Sequence, residues 1–168
     1  MKSEELRSIQ KPLKDRYREK PEAALVTLKA QGHIGENVTC SVATGRALVE
    51  AGLHPASGGT GLAACSGDML LQALVACAGV TLASVATALG IELRDGVVRA
   101  EGDLDFRGTL GVSKETPVGF QHIRLFFDLD AEADEEQLAT LIRLTERYCV
   151  VFQTLRQPPE LEMSCTAV

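Results

Sequence analysis

Aromatic residues are scarce in this chain: five Phe, two Tyr and no Trp make up 4% of 168 residues. Any core must therefore rest on Leu, Val and Ala. A basic excess is also missing. Seventeen Lys and Arg stand against 23 Asp and Glu, for a net charge of −6. Phosphate contacts need clustered cations, so no nucleic-acid partner is expected. Five cysteines are too sparse, and an odd number, for a disulfide scaffold. There is no Cys-x-x-Cys, and His33, His54 and His122 lie far apart, so the spacing supports no zinc site. No apolar leader opens the chain. The expectation is a protein of the reducing cytoplasm, with its thiols free.

What is present suits one globular domain: 45% hydrophobic and 24% charged residues in 18.0 kDa. Residues 1–20 read as a charged N-terminal arm or helix, with Lys11, Lys14, Arg16, Arg18 and Lys20 offset by Asp15 and Glu19. Residues 21–168 read as the domain itself. Its most distinctive run is Met69–Leu89, which carries no charge. That length can span a bilayer. Ala outweighs Leu, Gln72 and Thr81 interrupt it, and Asp68 and Glu92 replace the basic flanks of a span. The run is read instead as a central buried helix, with Ser66 as N-cap and Gly90 as the left-handed stop, and no membrane partner is expected.

Around that helix the pattern has period two. Val38, Cys40 and Val42 share one face of a predicted strand over 36–43, which residues 46–50 extend. Val97–Phe106 and Phe120–Leu129 are predicted strands. In the latter, Ile123, Leu125, Phe127 and Leu129 alternate with polar neighbours, and Phe126 breaks the rule. PASGGTGL (55–62) is a loop. It lacks the ending of a phosphate-binding P-loop. Asp134-x-x-Gln137 resembles a capping box and predicts a helix to about Leu155, with Cys149 on the face of Leu138 and Ile142. Leu161–Val168 suits a terminal strand. The fold class is α+β.

The chemistry rests on cysteine. Cys77 lies in the middle of the apolar helix, and Cys149 lies in the last one. A buried cysteine is commonly just a small hydrophobe, and both readings stay open on periodicity alone. One pairing is excluded: twelve helical residues separate Cys65 from Cys77 by roughly 18 Å, beyond the reach of about 7 Å of a disulfide.

The run SGDMLLQALVACAGVTLASVATALGI, with RLTERYCVVFQTL around Cys149 and Gly58-Gly59 before the helix, resembles the OsmC/Ohr family of osmotically induced and organic hydroperoxide resistance proteins. The resemblance spans about residues 36–168. It implies an antiparallel sheet packed on two Cys-bearing helices in an intertwined homodimer. It also implies reduction of organic hydroperoxides, with Cys77 as the peroxidatic and Cys149 as the resolving cysteine, and renewal by a dithiol reductant of the lipoyl type. No metal, flavin or haem cofactor is implied. An Arg held by an acid at the start of the helix would activate Cys77. Arg46 is the candidate, then Arg107, with His54 weaker. The family acid's position reads Gly67 here, and Asp68 follows it. The proline that commonly follows the second family cysteine reads Val150, which predicts a helix running through Cys149. Cys40 and Cys165 are read as structural, and Cys65 as an exposed loop thiol. The alternatives are a non-catalytic OsmC-like binding module and a thiol redox sensor. Walls of Leu70, Leu71, Leu74, Phe152 and Leu155 would suit an apolar peroxide.

Overall fold

Alternation in residues 120–129 becomes an edge strand with one dry face. A computed structural model describes residues 3–35, 39–42 and 51–166. In chain order the elements are α1 (Ser3–Glu19), β1 (Leu25–Gly35), β2 (Thr39–Val42), β3 (Ala51–Gly52), β4 (Ala64–Cys65), α2 (Ser66–Leu89), β5 (Glu92–Asp105), α3 (Phe106–Thr109), β6 (Phe120–Glu132), α4 (Glu135–Tyr148) and α5 (Val150–Arg156). An antiparallel sheet runs in the order β2-β1-β5-β6, and β3 and β4 form a small parallel pair. Fold class is α+β, as the sequence predicts.

Along β6, Ile123, Leu125, Phe127 and Leu129 face the core, and Val98 and Ala100 of β5 are buried beside them. The opposite face is polar because side chains alternate. Arg124 forks onto Asp103 at 2.6 and 2.8 Å, and Thr27 donates to the same carboxylate at 2.7 Å. Arg124 and Thr27 hold the Asp103 carboxyl well below the usual carboxylate range. Phe126, the exception in the pattern, lies on this outer face with the Arg99 guanidinium 5.3 Å from its ring centre. A cation over the ring accounts for an aromatic there.

Helix α2 lies across the dry face and packs on β1, β2, β5, α4 and α5. It is long and apolar enough to cross a membrane, yet Leu71, Leu74, Val75, Ala78, Leu82 and Ala86 form the domain core with Leu141 of α4. Truncating a Leu at such a position costs about 2–5 kcal/mol. Gly90 stops the helix at φ 70°, its N–H reaching Ala86 and Thr87 carbonyls. Ser66 is not the N-cap. The helix begins there, and Cys65 holds the cap position without a side-chain hydrogen bond.

Helix α1 docks through Tyr17, which is 2% exposed and joins Ala24, Phe106 and Leu110 in a second, smaller core. The Tyr17 hydroxyl donates to the Ala56 carbonyl at 2.6 Å, and Gln10 donates to Ser57 at 3.3 Å. The 54–61 loop is therefore held from the arm's side. Gly59 is required there, because a Cβ would overlap the Leu53 carbonyl.

Two elements depart from expectation. Residues 161–166 form no strand. A strand needs a ladder partner, and this segment pairs with no described strand, leaving Leu161 and Met163 exposed. The last helix is two helices, broken at Cys149, with consequences set out next. Of the predicted strand over 36–43, β2 accounts for 39–42. The other residues of that segment, and 46–50, lie outside the described residues.

Candidate functional site

Cys77 projects from the middle of α2, half-buried, into the core where α4 gives way to α5. Cys149 occupies that junction and is 1% exposed. The capping box at its start is complete: Asp134 accepts from the Gln137 N–H at 2.8 Å and Gln137 accepts from the Asp134 N–H at 2.9 Å. The helix then ends at Tyr148, because Cys149 adopts an extended conformation, φ −70° and ψ 108°. No proline causes this. The Thr145 hydroxyl turns back onto the Leu141 carbonyl at 2.8 Å, a bond that bends helices. The Gln153 side chain donates to the Glu146 carbonyl at 2.7 Å, satisfying an oxygen near the helix end. The expectation of a helix running through Cys149 is corrected on these grounds. Cys149 does point into the core, and Leu138 packs on it as expected; Leu141 and Thr145 are the fully buried positions of the helix, and Ile142 is partly exposed.

Folding brings the two thiols together. Burial pushes the Cys149 thiol up to about 11; a hydrogen bond with Cys77 and the Cys77 charge push the same way, while the Phe152 and Val151 N–H groups oppose it. Cys77 thus acts on a thiol 72 positions away in sequence, a closeness that packing alone produces. Beside Cys149, Leu125, Phe127, Thr145 and Phe152 line an apolar pocket of about 190 Å³. Leu74, Phe152 and Leu155 line a second cleft of about 270 Å³, which shares Leu125 and Phe152 with the first. Leu71 instead lies fully in the core, and Leu70 is exposed.

The remaining site candidates scatter. Asp68 sits in the first turn of α2. Burial raises its carboxyl pKa, and the charge of His54 partly offsets this. His54 is tightly placed: its Nδ1 accepts from the Ala56 N–H at 3.0 Å, and its ring stacks on Phe106 at 5.0 Å. Arg107 is committed to Asp105, with Nε 3.0 Å from both carboxylate oxygens. That carboxylate is 2% exposed, and the bonds from Arg107 depress its pKa. Arg46 lies outside the described residues. Cys65 is half-buried against the main core rather than an exposed thiol, and Cys165 is exposed outside any strand, so it is no structural strand residue. Cys40 lies on β2, opposite Ile34 of β1. The approach of His54 to Asp68, close enough for its charge to act there, escaped sequence reasoning, since it rests on the fold of the 54–61 loop. A readable signal was Pro55 after His54, marking a fixed turn.

No curated protein shows significant sequence similarity to the chain. Two solved structures share its architecture. An OsmC-like protein from Mycoplasma pneumoniae aligns with a TM-score of 0.57 at 16% identity, over 80% of this chain and 86% of the other. An OsmC-like hydroperoxide resistance protein from Jannaschia sp. CCS1 aligns with a TM-score of 0.59 at 20% identity, over 86% and 95%. The family model for OsmC-like proteins matches residues 59–164, a stretch holding both helices that meet at sulfur, and the chain therefore belongs to the OsmC-like family.

Proposed function

We propose that this protein is a thiol-dependent peroxidase that reduces organic hydroperoxides. The observation that carries the reading is the meeting of the Cys77 and Cys149 thiols inside an apolar core. Family membership and the likeness to a hydroperoxide resistance protein support it. The Cys77 thiolate attacks the terminal oxygen of the O–O bond. The alkoxide leaves and takes up the proton that the thiol had released, and Cys77 becomes a sulfenic acid. The Cys149 sulfur then attacks the Cys77 sulfur. Its proton leaves with the hydroxyl as water, and a disulfide remains. Burial and the Cys77 charge hold the Cys149 proton on before the first step; that charge is gone once Cys77 is a sulfenic acid, and Cys149 gives up its proton as its sulfur attacks. An external dithiol, of the lipoyl type, restores both thiols by exchange.

A nucleophilic thiolate needs a nearby cation or a comparable stabiliser. Cys77 lies too deep in α2 for the helix terminus to serve, since that effect fades within a turn. Arg107 is engaged by Asp105, so Arg46 is proposed as the cation and Asp68 as the carboxylate that positions it. A half-buried carboxylate with only a histidine charge acting on it has capacity for a guanidinium. We also place the protein in the reducing cytoplasm, as a homodimer. Met69, Leu70 and Val80 are exposed on α2, and Tyr148 flanks the same helix, so a second copy would cover an apolar surface.

The test is a slight excess of cumene hydroperoxide added to reduced protein, with hydrogen peroxide in parallel, followed by peptide mass spectrometry. The expected product is a Cys77–Cys149 disulfide, formed faster with the organic peroxide and reversed by dihydrolipoamide. Cys77 left unmodified, with oxidation confined to Cys65 or Cys165, would overturn the proposal.

A further inference from the structure

The cleft of about 270 Å³ between β6 and α5 has an unusual lining for so acidic a chain. Its walls are apolar: Leu74, Phe120, Leu125, Phe152 and Leu155. Its polar lining comes from Gln121, His122 and Arg156, and none of the lining residues is acidic. Yet the chain carries 23 carboxylates against 17 Lys and Arg. The acids of β6 itself, Asp128, Asp130 and Glu132, fall at the far end of the strand from Phe120. A mainly apolar slot with a guanidinium in its lining and no carboxylate suits one chemistry: an apolar chain that ends in an anion.

We propose that this cleft binds an amphipathic anion, a medium-length alkyl chain bearing a carboxylate, with the chain between β6 and α5 and the carboxylate at Arg156.

The side chains are placed for it. Arg156 spends Nη1 on an ion pair with Glu146, outside the cleft lining. A guanidinium has five N–H donors in a planar fork, so Nε and Nη2 can serve a ligand carboxylate while Glu146 holds the group in place. His122 lies at the edge of the lining, beside Arg124. Its Nδ1 lies 3.1 Å from Arg124 Nη1. The site stands on its own: it does not require that the cysteines react.

The test uses full-length reduced protein and three probes of one chain length: decanoate, 1-decanol and decyltrimethylammonium. Binding is read by calorimetry and by amide shifts. Decanoate is expected to bind about tenfold more tightly than 1-decanol, with the cation weakest. Shifts should fall on 120–125 and 152–156, and added salt should shrink the preference. Arg156→Gln should bring decanoate down to the alcohol's affinity and leave the alcohol unchanged, which also reports an intact fold. Glu146→Gln should tighten decanoate by releasing Arg156. Equal affinity for all three probes, shifts elsewhere, or a preference that survives Arg156→Gln would overturn the proposal. Peroxide is absent throughout, so failure here is separate from failure of the peroxidase reading.

Discussion

The first turn of α2 and its middle solve different problems with the same helix. At the start, Asp68 feels the charge of His54, which lies in a loop that Tyr17 ties to α1 and Phe106 backs by stacking. Nine residues further on, Cys77 has Leu, Val and Ala around it and a second thiol as its polar neighbour. The difference teaches where each kind of group can be tuned. A carboxylate needs donors or cations to stay charged when half-buried. A thiol tolerates a dry core as a neutral group, and there its ionisation depends strongly on burial and on the next sulfur. The polar end is an anchor that sets loop geometry, and the dry middle is the place for sulfur chemistry.

The largest effect should come from the middle. Cys77→Ser should lower peroxidase turnover at least a thousandfold, because a hydroxyl at neutral pH has no comparable nucleophile to offer. Cys149→Ser should permit one turnover and stop at a sulfenic acid, detectable by dimedone labelling. If both variants retain turnover, the sulfur pair is only packing. Next comes the cation. Arg46→Gln should slow Cys77 oxidation by about 10- to 100-fold, the effect of removing a charge that shifts a thiol by one to two pH units. Stopped-flow rates against pH check it. An unchanged profile would make the first turn irrelevant to the sulfur and sharpen the contrast between the two ends.

How much of this was legible in the sequence follows from which residues act locally. The Gly90 stop of α2, the capping box and the alternation of β6 all depend on neighbours within a few positions, and each reads directly; the start of α2 was placed one residue late, because Cys65, not Ser66, holds the cap position. Cys77 and Cys149 were identified by family pattern, not by periodicity, which marks them equally well as core. The helix break at Cys149 was not legible: its causes are a Thr145 back-bond and a Gln153 side chain reaching Glu146, and neither residue signals a stop. The placing of His54 near Asp68 was hidden for the same reason, being made by a loop fold and a stacked Phe106 from another part of the chain.

The thiol environment also has a stability signature. Cys149 has its pKa raised from 9.0 to about 11 in the folded, reduced protein. Between those values the unfolded chain has released the proton and the folded one has kept it. Stability is therefore full below pH 9 and falls as pH rises toward 11, by on the order of 2 kcal/mol. Urea midpoints of reduced protein across that range check it. Cys149→Ala should flatten the fall. A fall unaltered by that substitution would mean that burial of Cys149 does not control its proton.

The smaller core provides the matched comparison. Burial also raises the Tyr17 pKa above its ordinary 10.0, so its contribution has the same sign but begins about one pH unit higher. Tyr17→Phe removes the donor to the Ala56 carbonyl at 2.6 Å and should cost about 1 kcal/mol at neutral pH. It should remove the part of the alkaline fall that begins above pH 10 and leave the part that Cys149 causes. It should also leave Cys77–Cys149 disulfide formation within about twofold of the parent, since Tyr17 touches the loop rather than the sulfurs. A larger change in disulfide rate would show that the anchored start of α2 and its dry middle are coupled through the helix, so that the two ends cannot be tuned apart.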